Sequence, residues 1–522
     1  MHLIRLTIPK WKNLNDLTVH FDQDTFTSVF VGRNGTGKSN VLEALIIIFR
    51  DLDLEETTQL FAYELEYSCR GAHIFIDSDP IRAIGETIRI RVDGEEVSRQ
   101  KFSRKGGGAY LPSHLFIYYS GQSTRMVSHF EKHEGSFDQA LRKGRDMPLR
   151  PLLYVRLVHS MFALLSFFWN DNAADRAFLK RYLRIKDLDS VLFVLKKPSW
   201  YSPSRNNQGD PRFWGALGIV RDLLGKLYDL ALCPLRVKHR GAKGGTDDRL
   251  YLFLKDKEDL LAFGKSYKTR KDFFSALESL HVADLVQDVR ARVRLENVDG
   301  SLTFRELSEG EQQLLMVLGL LRFTCEEEAL ILLDEPDTHL NPAWSLDYVN
   351  LLEEVVPKSY GTHVVMATHD PLVLAGLQAK QVHVMRRDQG GRITATHPEK
   401  DPIGMGVSAL LTSDIYGLRS ELDSKTLEKL DLRRRLTFKK NRTIKDEETL
   451  AELNEWIKRK DFTRSDPDPM FAAFEKAMTK ALDKTQLGST TLTDEERRQQ
   501  EELAFKIMQK QLQEKEKPEE KI

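Results

Sequence analysis

Cysteine is scarce in this chain: three residues, Cys69, Cys233 and Cys325, among 522. Their scatter excludes a disulfide framework and a cysteine-built zinc site, and it suits a reducing compartment. Long apolar runs are missing too. The greasiest stretch, LVHSMFALLSFFW from Leu157 to Trp169, carries His159 and two serines. It is shorter than the roughly 20 residues a membrane span needs and predicts a buried helix. The opening MHLIRLTIPKW alternates at once, without the apolar core of a secretory leader. Net charge is absent as well: 78 Lys and Arg balance 78 Asp and Glu, so the whole chain is not a polycation built for nucleic acid. No fixed-period repeat and no sustained heptad seam is evident. These absences predict a cytoplasmic protein of several domains with no membrane partner.

What is present begins at GRNGTGKS, which fits G-x-x-x-x-G-K-[ST] with Gly32, Gly37, Lys38 and Ser39. It follows the strand-like TSVFV and precedes the helical NVLEALIIIF, the context this phosphate loop requires. Backbone amides of Gly32, Arg33, Asn34, Gly35, Thr36 and Gly37 are placed to curl around phosphate oxygens at a helix N-terminus. Lys38 would bridge the β- and γ-phosphates of ATP, and Ser39 would hold Mg²⁺ through its hydroxyl. The apolar ALILLDEP then supplies Asp334 for the metal and Glu335 as general base for an attacking water. In VVMATHD, His369 stands 34 residues after Glu335, again just past a buried strand, and is a second catalytic candidate.

One stretch remains, LSEGEQQ. It resembles the signature motif of ABC-type ATPases through Leu307, Ser308, Gly310 and Gln312, with Glu309 at the first glycine position. The order of the motifs is also that of the ABC superfamily. The resemblance implies that Ser308 and Gly310 cap the γ-phosphate held by a second copy, so that two heads enclose two ATP molecules head-to-tail. Ser308 with Glu311 also reads as a capping box for the helix that follows. PDTHLNP stands where the D-loop sits, which nominates Asp337 or His339 as residues crossing between copies. Gln122 in YYSGQSTRM is the Q-loop candidate for metal coordination, and Gln59 the runner-up.

Lys38 and Ser308 are 270 residues apart, a wide spacing that resembles SMC-like, RecF-like and OLD-like ATPases rather than transporter subunits. The opening hairpin resembles that group's too, which implies that Lys12 and Asn13 approach the nucleotide. The expected fold is α/β: a P-loop ABC-ATPase head with a mixed β-sheet and flanking helices, a helical insertion and a helical C-terminal extension. Boundaries are expected at 1–126 (Walker A and a β-rich subdomain), 127–245 (helical insertion), 246–412 (signature, Walker B, histidine motif) and 413–522 (charged, partner-binding).

The stretches LLTSDIYGLRSELD and LAELNEWIKRKDFTRSDPDPMFAAFEKAM are similar to the C-terminal region of Septu (PtuA-type) anti-phage ATPases, including retron-associated forms. That resemblance implies a homodimer or higher homo-oligomer and a separately encoded HNH-type nuclease. DNA, or a reverse transcriptase with its RNA–DNA product, would be a further partner. The chain itself shows no nuclease motif, and Asp77 to Asp79 reads as a turn. Two basic loops, with Lys101, Arg104 and Lys105 and with Lys238, Arg240 and Lys243, are candidate phosphate contacts. The alternative is an SMC/RecF-like repair ATPase acting on DNA without a dedicated nuclease; a transporter subunit is a third and weaker reading.

Overall fold

The computed structural model describes residues 1–459, except 84, 105–106, 122, 147–148, 171, 203–208, 241–245, 297–299, 325–326, 358–359, 389 and 440, together with 502, 506 and 507. Two compact units emerge, Met1–Glu421 and Leu422–Ile522.

The first unit is organised by a seven-stranded sheet. Its strands run in the order Ile393–Thr396, Val382–Arg387, Thr27–Gly32, His363–Ala367, Leu330–Asp334, Leu115–Tyr119, Leu152–Tyr154. Every neighbouring pair is parallel except the one formed by Ile393–Thr396. LILLD and HVVMA are buried at every position, as a parallel strand covered on both faces must be. Because strand order departs from chain order, residues distant in sequence finish side by side. Asp334 pairs in register with both Ala367 and Tyr119, and Ala367 with Phe30. The phosphate loop, the acidic pair and His369 therefore leave the same carboxyl edge.

Each face of this sheet has its own core. Phe30, Ile117, Leu332 and Val365 pack against the helix Lys38–Asp53 and a second, antiparallel sheet. That sheet has six strands, ordered Leu14–His20, His2–Trp11, Tyr63–Cys69, Ala72–Ser78, Ile88–Val92, Glu95–Glu96. On the other face Val29, Val31, Ile331, Leu333 and Met366 meet the helices of the middle segment.

The stretch read as helical, 127–245, is helical only in part. It carries helices such as Glu131–Arg142, Leu157–Phe167 and Gly218–Leu230, but also Leu152–Tyr154, the edge strand of the main sheet. Ile185–Lys196 and Leu235–Arg240 join Thr246–Leu254, Val286–Leu295 and Leu302–Thr303 in a third sheet that continues past 245 up to the signature. Leu157–Phe167 is the buried helix expected from its apolar run. Its one strongly polar member, His159, is satisfied by Glu278 at 2.7 Å, which also pairs with the buried Arg150. Burying those charges is tolerable because each has a partner.

Among the described residues no helix is long and apolar enough to cross a membrane. Cys69 is a buried free thiol and Cys233 an exposed one, as a chain without disulfides predicts; Cys325 lies outside the described residues. The second unit contains the helices Ser424–Phe438 and Ile444–Arg459, charged as expected. Much of the Septu-like stretch, from 460 on, lies outside the described residues.

Candidate functional site

The loop between strand Thr27–Gly32 and helix Lys38–Asp53 has to close on itself tightly. Gly32, Gly35 and Gly37 all adopt positive φ, and a Cβ on Gly37 would stand 2.6 Å from Leu14. Thr36 ties the loop internally, its hydroxyl donating to the Arg33 carbonyl at 2.8 Å. Lys38 is folded back on the same loop, with Nζ donating to the carbonyl of Gly32 at 2.9 Å. Burial pushes its ammonium down to about 8, against the pull of Glu335 and Asp334.

Ser39 and Asp334 meet at the mouth of the cleft: the Ser39 hydroxyl donates to Asp334 Oδ1 at 3.1 Å. Burial pushes the Asp334 carboxyl up to about 6, and its Oδ2 is buried with no hydrogen-bond partner. A hydroxyl beside an under-coordinated carboxylate is an oxygen donor set suited to Mg²⁺. Glu335 follows with φ 50, a left-handed backbone anchored by its amide donating to Ala367 at 2.8 Å. Its carboxylate reaches the imidazole of His369 at 3.4 Å. Burial, then the nearby Lys38 ammonium, lowers the His369 pKa against the pull of Glu335. Asn13, Asn34, Gly35, Gly37, Lys38, Ser39, Asn40, Arg125, Glu335 and His369 line one open cleft.

Two family models match the chain. "AAA ATPase domain" covers residues 1–132, and "AAA domain, putative AbiEii toxin, Type IV TA system" covers 177–375. Together they take in the phosphate loop, the signature and the acidic pair, the groups this cleft and its neighbouring helix bring into one unit. Over these two stretches the chain is similar to P-loop ATPase domains.

The curated relatives match it distantly and in part. The chain is 28% identical to the Septu protein PtuA of Bacillus mycoides over 153 residues, 27% of this chain and 21% of that one. It is 32% identical to the DNA replication and repair protein RecF of Lactobacillus acidophilus over 76 residues, 14% of this chain and 20% of that one. It is 30% identical to the Retron Vc95 probable ATPase of Vibrio cholerae over 82 residues, 16% of this chain and 15% of that one. The chain thus spans about a fifth or less of the length of each of these relatives. Among solved structures, the SMC head domain from Thermotoga maritima aligns over 76% of this chain and 100% of its own, at 13% identity and a TM-score of 0.32.

Ser308 and Gly310 are not among the residues lining this cleft. Ser308 is exposed and caps the helix Glu309–Leu314: its hydroxyl accepts from the Glu311 amide at 3.3 Å, and the Glu311 carboxylate accepts from the Ser308 amide at 2.8 Å. Gly310 is required by close packing, since a Cβ there would stand 2.4 Å from the His339 carbonyl. Signature and D-loop are thereby fixed to one another.

The remaining candidates divide. Asn13 donates to the Gly35 carbonyl at 2.8 Å and lines the cleft. Lys12 is instead turned onto Glu43, 2.6 Å away, and is not among the lining residues. His339 is half-exposed beside Glu309 at 3.3 Å. Asp337, the other D-loop candidate, is buried and accepts from the Thr368 hydroxyl at 2.8 Å. Gln59 is buried near Glu56, whose carbonyl accepts from it at 3.3 Å. Gln122 lies outside the described residues.

Of the basic candidates, Arg104 is structural, its guanidinium held by Asp53 at 2.7 Å and by the Pro112 carbonyl. Lys101 and Lys238 are exposed, Arg240 is in the strand Leu235–Arg240, and Lys105 and Lys243 lie outside the described residues. Asp77 closes a strand and pairs with Arg82 at 2.8 Å; among the described residues no group of three His, Cys, Asp or Glu is arranged to hold a metal. Sequence reasoning missed Asn40 and Arg125 as cleft residues. Asn40 follows the loop's last residue directly, a position that itself points to the site; Arg125 lies three residues past the Q-loop candidate Gln122, in the YYSGQSTRM stretch.

Proposed function

We propose that this chain binds and hydrolyses ATP with Mg²⁺ as paired heads, and that nucleotide state switches a separately encoded HNH-type nuclease in an anti-phage defence complex. The observation that carries the ATPase reading is the convergence of Lys38, Ser39, Asp334, Glu335 and His369 on one cleft, with Ser308 exposed elsewhere. A cleft that holds half of an ABC-type site, on a chain that carries the other half on its surface, favours a head-to-tail pair.

The chemistry follows from the positions. Lys38 leaves its loop carbonyls for the β- and γ-phosphates, at the N-terminus of helix Lys38–Asp53. Ser39 and Asp334 would hold Mg²⁺, which would neutralise phosphate charge. Glu335 takes the proton of a water whose oxygen bonds the γ-phosphorus, while the bond to the ADP oxygen breaks. His369, beside Glu335, orients that water. Ser308 and the Gly310 amide of the second copy close over the γ-phosphate, and hydrolysis removes what they grip. This switching would reach the middle segment and the C-terminal unit, where nuclease or nucleic acid docks.

The defence reading is supported by the similarity to the Septu and retron relatives. Co-purification of the chain expressed from its native operon tests it: a small HNH protein in the complex supports the reading, and its absence under both nucleotide-free and ATP conditions contradicts it. The similarity to RecF favours a second reading, an ATPase acting on DNA without a nuclease partner. In that case DNA alone would stimulate hydrolysis, and the operon would yield no such subunit.

A further inference from the structure

The cleft contains a second cation that the motifs do not predict. Arg125 lies in the connection between strand Leu115–Tyr119 and the turn Val127–Phe130, and it lines the same cleft as Lys38, Ser39, Glu335 and His369. We propose that Arg125 is a γ-phosphate-binding residue supplied in cis, parked on Glu43 and Asn40 until a nucleoside triphosphate fills the cleft. The proposal rests on the ATP reading above.

Three observations lead to it. First, Glu43 does not need Arg125. Its carboxylate already receives Lys12 at 2.6 Å on both oxygens and His129 at 2.9 Å, so Arg125 at 2.8 Å is a surplus partner. Removing it would leave no unpaired buried charge. Second, the guanidinium is under-used. A single nitrogen, Nη2, serves both Glu43 and the Asn40 side chain at 2.7 Å, while Nε is buried with no partner. Five N–H donors in a planar fork suit the bidentate recognition of phosphate, and here most of them await an acceptor. Third, the charges in the cleft do not balance a triphosphate. Its lining holds Lys38 and Arg125 as cations against Glu335, and burial already weakens the Lys38 ammonium. A guanidinium keeps its charge at any working pH.

The position explains why the residue sits on a connection rather than on the helix. A side chain in a short loop beside the strand carrying Tyr119 can exchange Glu43 for phosphate without moving a packed element. A purely structural role, bracing helix Lys38–Asp53 through Glu43, would give Arg125 no reason to distinguish a triphosphate from a diphosphate.

Titration of the full chain with AMP-PNP and with ADP, both with Mg²⁺, separates these roles. Arg125→Ala is expected to weaken AMP-PNP binding at least tenfold and ADP binding less than twofold, leaving the nucleotide-free melting temperature unchanged. Arg125→Lys, which keeps the charge toward Glu43, guards against misfolding of the alanine variant and is expected to recover AMP-PNP affinity only in part. Equal losses for the two nucleotides, or none, would overturn the assignment. A wild-type chain that binds neither nucleotide would remove the ATP reading itself, and Arg125 with it.

Discussion

Ser39 and Asp334 lie 295 positions apart in the chain and share a 3.1 Å hydrogen bond. The contact joins the first helical turn after the phosphate loop to the end of a buried strand, and it leaves one Asp334 oxygen buried without a partner. That oxygen costs stability and earns it back only when a cation arrives.

Asp334→Asn is therefore expected to stabilise the nucleotide-free protein while abolishing hydrolysis. The carboxyl is 2% exposed and pushed up to about 6 from 3.8. A carboxyl whose folded pKa is raised is destabilising when ionised, fully so above about 6, and the cost fades as pH falls toward its unfolded value. At pH 8 the gain should be roughly 2–3 kcal/mol, and at pH 4 close to none. Melting curves at the two pH values check this; a destabilised variant at pH 8 would contradict it.

Much of this site is legible in the sequence because each motif is local. GRNGTGKS, LLDEP and VMATHD all follow apolar strands, and the parallel sheet then aligns their ends without further instruction. The burial of Asp337 is not legible in DEPDTHLNP, because it depends on the tertiary contact with Thr368 in another strand's exit. Arg125, Glu43 and Lys12 come from three separate segments with no periodic spacing, so nothing short-range announces their meeting. The strands within 127–245 were hidden for a related reason. Ile185–Lys196 pairs with partners more than 50 residues away, through a register with Val286–Leu295 that shifts at three points, which breaks the alternation a sequence reader relies on.

Gly310 ties the signature to the D-loop. Gly310→Ala would drive a methyl to within 2.4 Å of the His339 carbonyl, a backbone atom that cannot step aside. The expected cost is about 1–3 kcal/mol of stability, and hydrolysis should fall with nucleotide binding largely kept. Calorimetry with parallel turnover assays tests this, and unchanged turnover would separate Gly310 from the reaction.

Buried histidines cost the fold stability in acid, and His383 is one of them. His383 is 1% exposed, stacked on Phe30 with ring centroids 5.0 Å apart, and its Nε2 has no partner. Burial first, then His397, pushes its pKa down to about 3 from 6.5. The unfolded chain takes up a proton that the folded chain refuses, so stability is lost as pH falls from about 6.5 toward 3. His383→Phe should recover on the order of 2 kcal/mol at pH 5 relative to its effect at pH 8. Denaturant titrations at both pH values decide it, and equal effects would rule out this histidine as the source.

Glu335→Gln keeps the shape of the side chain and the left-handed backbone while removing the proton acceptor. Turnover is expected to fall by about two orders of magnitude or more, with ATP-bound protein accumulating at twice the mass of one chain. Lys38→Ala should lose nucleotide binding altogether. Light scattering and turnover together read both variants, and normal hydrolysis by Glu335→Gln would remove the base.

The central claim is that one chain owns halves of two reaction centres. ATPase rate per head, followed over serial dilution alongside mass photometry, tests it most directly. The rate should collapse as the population becomes monomeric, and a mixture of Lys38→Ala with Ser308→Arg chains should regain up to one competent site per pair. Full hydrolysis per head in a strictly monomeric solution would contradict the account.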